Sequence, residues 1–196
     1  LEQVWGYRHP ADTRLVNVHV QRLRANSSYV SRFQQVYGEL PTDANVPAAL
    51  GSFMARQFAP RNRVDDFQQG NRSALTASEL RGKDLFAGKA RCIGCHAGPN
   101  FTDESFRSNG IAINDDFGRA DVTDRNRDYK LFKVPSLRGV SLTAPYMHNG
   151  SKSTLRDVVN AYNLGATGVS NRDSDIRPLQ LSDQEIGDLV AFLNAL

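Results

Sequence analysis

The stretch Arg91-Cys92-Ile93-Gly94-Cys95-His96 decides how the rest of this chain is read. Cys92 and Cys95 are the only cysteines, and two residues separate them. A bare C-x-x-C suits a redox dithiol, half of a zinc site or a disulfide. A histidine directly after the second cysteine changes the chemistry. Both thiols can add to the vinyl groups of a haem, and the imidazole of His96 then meets the iron from the proximal side. A zinc site would need a second ligand pair, which His9, His19 and His148 do not form. A thioredoxin-like dithiol would follow a strand in a βαβ pattern, and none precedes Cys92. The motif therefore predicts one covalent haem c, attached through Cys92 and Cys95, with His96 on the iron.

Outward from the motif, the periodicity is helical. Thr76-x-x-Glu79 is a capping box that opens a helix with Leu80, Leu85 and Phe86 on one side, running straight into the motif. Ser182-x-x-Glu185 opens another, in which Ile186, Leu189, Val190, Leu193 and Leu196 recur at helical spacing. Further upstream, a helix over about 13–25 carries Leu15, Val16, His19, Val20 and Leu23 on one stripe, so His19 reads as a core histidine. A second starts near Ser28, turns Tyr29, Val30, Phe33 and Val36 inward and ends at Gly38 as a C-cap. A third spans about 45–58 with Val46, Leu50, Phe53 and Met54 inward, which places Met54 in the core. Residues 97–134 are polar, rich in Gly and Asp and weakly periodic: a long loop with room for short strands. The fold class predicted is all-α, a cytochrome c-like haem domain with long loops, preceded by a helical segment.

Composition bounds the function. The chain of 196 residues is 40% hydrophobic and 23% charged, ordinary for a globular protein. No stretch approaches the roughly 18–20 apolar residues of a membrane span. The net charge is +3, and Arg and Asp interleave through Arg119–Lys130, so no cationic stripe marks a nucleic-acid site. Covalent haem attachment normally takes place outside the bacterial cytoplasm, so a periplasmic or otherwise exported location is expected. LEQVWGYRHP has no apolar signal-peptide region, which makes the chain read as a mature form or as a piece of something longer.

Three segments, GKDLFAGKARCIGCHAGPNFTD (82–103), FKVPSLRGVSLTAPYMHNGSKSTLRDVVNAY (132–162) and LSDQEIGDLVAFLNAL (181–196), resemble the C-terminal haem domain of bacterial dihaem cytochrome c peroxidases and their MauG-like relatives. Residues 12–71 resemble the helical part that precedes it. The resemblance implies residues 74–196 as the haem domain, and 1–73 as a helical segment that belongs to, or packs against, an N-terminal haem domain with a second haem.

The same resemblance implies site residues. In the peroxidases the second ligand of this haem is a methionine, and in MauG-like proteins a tyrosine. Either lies 19 residues after the Thr of a T-x-P-Y-[FM]-H motif, here Thr143 to His148, and that offset falls on Tyr162. Tyr162 is then the distal iron ligand, a hard anionic donor that favours oxidised iron, whereas a thioether raises the potential. The residues alone also allow Tyr162 to be a packing aromatic after Val158 and Val159. Met147 competes as a ligand but reads better as packing beside the haem. His148 reads as a local hydrogen-bonding residue. Thr143 and Pro145 match positions that supply oxygen ligands to calcium between the two domains, the alternative being a Pro-ordered turn closing one side of the haem pocket. Lys133, Arg138, Arg119 and Arg127 are the cations available to haem propionates. Near His9 the peroxidases carry a catalytic glutamate. WGYRHPAD offers only Asp12, a departure that counts against simple peroxidase activity.

The function implied is an oxidoreductase that uses hydrogen peroxide and exchanges oxidising equivalents with a redox partner protein, with Tyr162 on a haem that stores and relays them. The alternatives are a plain electron carrier, with Met147 or His148 as a strong second ligand, and a colourless structural module.

Overall fold

In the computed structural model the residues described are 13–56, 60–111, 116–166, 168 and 171–196. His9 and Asp12 lie outside them. The architecture is all-α, with one two-stranded antiparallel ribbon among the described residues. Two compact units divide the chain: one holds the described residues of 1–58 with 120–128, the other those of 59–119 with 129–196. The second unit thus begins earlier than position 74. The reason is visible in Val64 and Phe67, which pack into the same apolar cluster as the C-terminal helix.

In the first unit, α1 (Thr13–Arg24), α2 (Ser27–Tyr37) and α3 (Asn45–Met54) follow one another, and 120–128 adds the short α4 (Ala120–Thr123). Asn26 caps α2 with its side chain, and Gly38 ends it at φ +72°, a left-handed conformation that suits glycine. The core is small: Val20 and Val46, with Leu23 and Phe33 against them. On α2 and α3, five of the eight apolar residues expected to face inward are outside. Tyr29, Val36 and Leu50 are exposed, and Phe53 and Met54 are each 61% accessible, so Met54 is no core residue. Periodicity tells which residues share a face, but not whether anything covers it. His19 is half-buried.

In the second unit, α5 (Arg63–Gln68), α6 (Ala77–Ala87), α7 (Leu155–Asn163) and α8 (Asp183–Leu193) surround one core. Four capping boxes start them: Asn62 with Asp65, Thr76 with Glu79, Thr154 with Asp157 and Ser182 with Glu185. Each satisfies backbone donors that the first turn leaves free. Helices α6 and α8 cross closely at Gly82, where a Cβ would stand 2.0 Å from the carbonyl oxygen of Asp188. Beside the crossing, the buried Asp188 carboxylate accepts from Arg81 Nε and Nη2, both at 2.8 Å, and from Ser78 Oγ at 2.5 Å. Phe86 of α6 meets Phe192 of α8 edge-on with centroids 5.3 Å apart. Phe192 is 1% exposed, and burial of such a ring contributes about 1.5–3 kcal/mol. The polar stretch 97–134 is mostly irregular, and its strand β1 (Phe106–Arg107) pairs antiparallel with β2 (Phe132–Lys133).

Candidate functional site

Inside the second unit lies a cavity of about 690 Å³, of the size that holds cofactors. Its wall is built from segments far apart in sequence: the end of α6 with residues 90–96, the loop at Arg107–Asn109, the 132–148 segment, α7, residues 173–179 and Leu189 and Leu193 of α8. The exposed surface of that wall is mostly apolar, with polar and charged side chains set into it.

The C-x-x-C-H segment follows α6 directly. Arg91 turns the chain at φ +54°, and Cys92–Gly94 forms a single turn of 3-10 helix. Both thiols are free and line the cavity. Burial pushes the Cys92 thiol up to about 12 and raises that of Cys95 as well. His96 points one ring nitrogen away: its Nδ1 is 2.9 Å from the carbonyl oxygen of Phe101. Donation from Nδ1–H to that carbonyl leaves Nε2 with its lone pair, the form that binds a metal. Burial lowers the imidazole pKa, opposed by the carbonyls of Phe101 and Pro135, which favours the neutral ring needed for ligation.

Tyr162, in the last turn of α7, lines the same cavity. Its hydroxyl is 3.3 Å from Nδ2 of Asn109, and the same nitrogen is 3.7 Å from Sδ of Met147. Burial raises the pKa of the phenol, and the Asn109 hydrogen bond opposes that rise. Met147 therefore stands beside Tyr162, linked to it through one amide. His148 lines the cavity as well, with its Nε2 3.0 Å from Asp116 and its ring stacked on Phe132 at 3.8 Å.

The expected cations separate. Lys133 lines the cavity and pairs with Glu104. Arg138 is not among the lining residues: both of its terminal nitrogens lie 2.8 Å from Asp65, and its Nε donates to the carbonyl of Pro99 at 2.7 Å. That carboxylate, together with the Pro99 carbonyl, draws the side chain away. Arg119 stacks over Phe106 and Arg127 is exposed, and neither lines the cavity. Instead, Arg91, Arg107 and Arg177 do. Arg107 is held by Asp103 and Asp173 at 3.0 Å each, whereas the buried Nε of Arg91 has no hydrogen-bond partner. Thr143 and Pro145 both line the cavity, and the Thr143 hydroxyl donates to the carbonyl of Val140 at 3.0 Å. Among the described residues no group of three or more His, Cys, Asp and Glu side chains could hold a metal ion. Two thiols and a neutral imidazole on an apolar cavity, with a buried guanidinium nitrogen in need of an anionic partner, fit a covalently held haem.

Residues 132–163 match the RoxA-like, cytochrome c-like family. The chain is 34% identical to cytochrome-c peroxidase IdrP1 of Denitromonas iodatirespirans, over 89% of this chain and 56% of that protein. It is 35% identical to the methylamine utilization protein MauG of Methylorubrum extorquens, over 90% of this chain and 51% of that one. The chain belongs to the family of cytochrome c peroxidases and MauG. A solved structure of a MauG-like protein associated with microbial copper homeostasis shares the fold, with a TM-score of 0.65 and 31% identity over 69% of this chain and 51% of that one. The chain spans about half the length of the curated relatives it matches.

As a member of the cytochrome c peroxidase and MauG family, the chain carries a covalent c-type haem, and the cavity at Cys92, Cys95 and His96 is where its residues fit that group. Sequence reasoning missed Asn109, as it missed the lining Arg91, Arg107 and Arg177. The only local signal for Asn109 is Asn109-Gly110, an ordinary turn dipeptide. What singles it out is a contact with a side chain 53 residues away.

Proposed function

We propose that this chain is the Tyr-ligated haem domain of a peroxide-using oxidoreductase, which stores oxidising equivalents and exchanges them with a partner protein. The observation that carries it is the Tyr162 hydroxyl, held by Asn109 on the wall of the cavity that Cys92, Cys95 and His96 line. When bound, the haem supplies the one-electron chemistry, and hydrogen peroxide taking up two electrons and two protons gives two waters. The protein's part is to attach the group through Cys92 and Cys95, to present His96 Nε2 as a neutral donor, and to offer an oxygen rather than a sulphur from α7. A phenolate favours the oxidised metal, which suits holding oxidising equivalents more than passing electrons at high potential.

Several parts accompany this reading. A second haem domain is the site of peroxide cleavage, and the exposed face with Phe53 and Met54 is the surface the first unit offers to it. Lys133, and Arg91 with its unpartnered Nε, are the cations for the propionates. Thr143 and Pro145 are oxygen donors to calcium shared with that second domain. The protein works in the periplasm, where haem is attached, and no helix among the described residues is long and apolar enough to cross a membrane.

The test is to mix the full ferric protein with one equivalent of hydrogen peroxide and follow the Soret band, with and without Tyr162→Phe. An oxidised spectrum that persists in the wild type and decays faster in the variant supports the proposal. A haem unreactive to peroxide in both makes the protein an electron carrier.

A further inference from the structure

We propose that Asn109 is a positioning residue for the distal side of the haem: its amide N–H holds the Tyr162 oxygen and withdraws charge from it, setting the donor strength that the iron meets. This rests on the reading of Tyr162 as the distal ligand.

The amide orientation is fixed by the chain itself. Asn109 Oδ1 accepts from the backbone N–H of Ile111 at 3.1 Å, so the carboxamide presents its nitrogen, not its oxygen, to the cavity. That nitrogen is 3.3 Å from Tyr162 Oη and 3.7 Å from Met147 Sδ, and its two hydrogens can serve both. The two acceptors are unequal. A thioether is a weak acceptor, whereas a hydrogen bond to a phenolate is charge-assisted and roughly twice as strong as a neutral one. Asn109 therefore acts chiefly on the oxygen, and Met147 keeps a neighbour's place.

The donor also stands on a fastened loop. The flanking Ser108 is 2% exposed and its carbonyl accepts from the N–H of Asp173 at 2.9 Å. On the other side Gly110, at φ +82°, accepts from the N–H of Gly168 at 3.0 Å, and a Cβ there would lie 2.1 Å from the carbonyl oxygen of Ala166. Two segments thus clamp residues 108–110, so the amide cannot drift from the phenol without the loop moving. Outer-shell partners of this kind orient a metal's ligand and tune the metal.

The experiment compares ferric electron paramagnetic resonance g values and the haem midpoint potential in the wild-type holoprotein, Asn109→Leu, Asn109→Asp and Tyr162→Phe. Leu and Asp keep the size of the side chain and remove the donor, and Asp adds an acceptor. With the donor gone the phenolate becomes a stronger donor to ferric iron. Both variants should therefore lower the potential and shift the g values, Asp more than Leu. In a Tyr162→Phe background Asn109→Leu should cause no further shift. Unchanged g values and potential in both Asn109 variants, a raised potential, or an equal shift in the Tyr162→Phe background would overturn the inference. If Tyr162→Phe itself matches the wild type, it is the ligand reading that has failed. If Tyr162→Phe differs and the Asn109 variants do not, the ligand reading stands and Asn109 is only packing.

Discussion

The Nδ1 nitrogen of His96 stands 2.9 Å from the carbonyl oxygen of Phe101, and this contact decides which face of the imidazole the cavity receives. With Nδ1–H donated to a backbone acceptor, Nε2 keeps its lone pair and is the nitrogen able to bind a metal. Phe101 is itself fixed, edge-on to Phe86 with centroids 6.1 Å apart, so the ring orientation is transmitted from the core of α6.

The first prediction concerns attachment. Cys92 and Cys95 should each carry a thioether, so intact-mass analysis of the denatured, coloured protein should give the polypeptide plus one haem. Cys92→Ser and Cys95→Ser should each keep a single thioether, read as a shifted alkaline pyridine haemochrome band. A polypeptide mass with no added haem would contradict the assignment.

A second prediction concerns the helix crossing. Gly82 has no room for a methyl group beside Asp188 and Phe192. Gly82→Ala should destabilise the protein by about 1–3 kcal/mol through overpacking. Phe192→Ala, which empties a site 1% exposed, should cost about 3–5 kcal/mol. Denaturant melts of the holoprotein read both, and a neutral Gly82→Ala would show that α6 and α8 are further apart than described.

The third prediction is a pH dependence. The Arg138 guanidinium bonded to Asp65 holds its carboxyl at about 2, below its ordinary 3.8. A depressed carboxylate stabilises the fold fully above the unfolded value and stops doing so as protons bind in the folded state. The contribution should be lost as the pH falls from 3.8 towards 2, and Asp65→Asn should flatten that part of the stability profile while lowering stability at neutral pH. An unchanged acid limb in Asp65→Asn would remove Asp65 from the account.

The fourth prediction uses the outward face of the first unit. In this chain Phe53→Ser and Met54→Gln should each alter stability by no more than about 0.5 kcal/mol, because both side chains are 61% exposed. In a protein that carries the proposed second haem domain, the same changes should weaken association between the two domains. A large loss in the isolated chain would return Met54 to the core.

How much of this could be read from the sequence depended on how far each residue's partners lie along the chain. Local chemistry was readable: C-x-x-C-H, and the capping boxes at Thr76 and Ser182, whose parts sit within four residues of one another. The box at Thr154 with Asp157 has the same pattern and precedes the helix of Tyr162, yet stood hidden in a longer family motif. Facing was readable only where a helix is covered on one side. The spacing of Ile186, Leu189 and Leu193 gave a buried stripe, whereas Val36 of α2 and Phe53 and Met54 of α3, equally periodic in sequence, are exposed. Long-range partners were not readable. Nothing near Arg138 announces Asp65, 73 residues earlier, and nothing near Asn109 announces Tyr162.

The most direct test of the central claim is an electron paramagnetic resonance spectrum of the ferric protein as isolated, with a haem count per chain, repeated for Tyr162→Phe. The account predicts one haem per chain and a low-spin His–Tyr signal that disappears in the variant. A His–Met or bis-His signal that survives Tyr162→Phe would contradict it, leaving Tyr162 as packing and the chain as an ordinary peroxidase domain or an electron carrier.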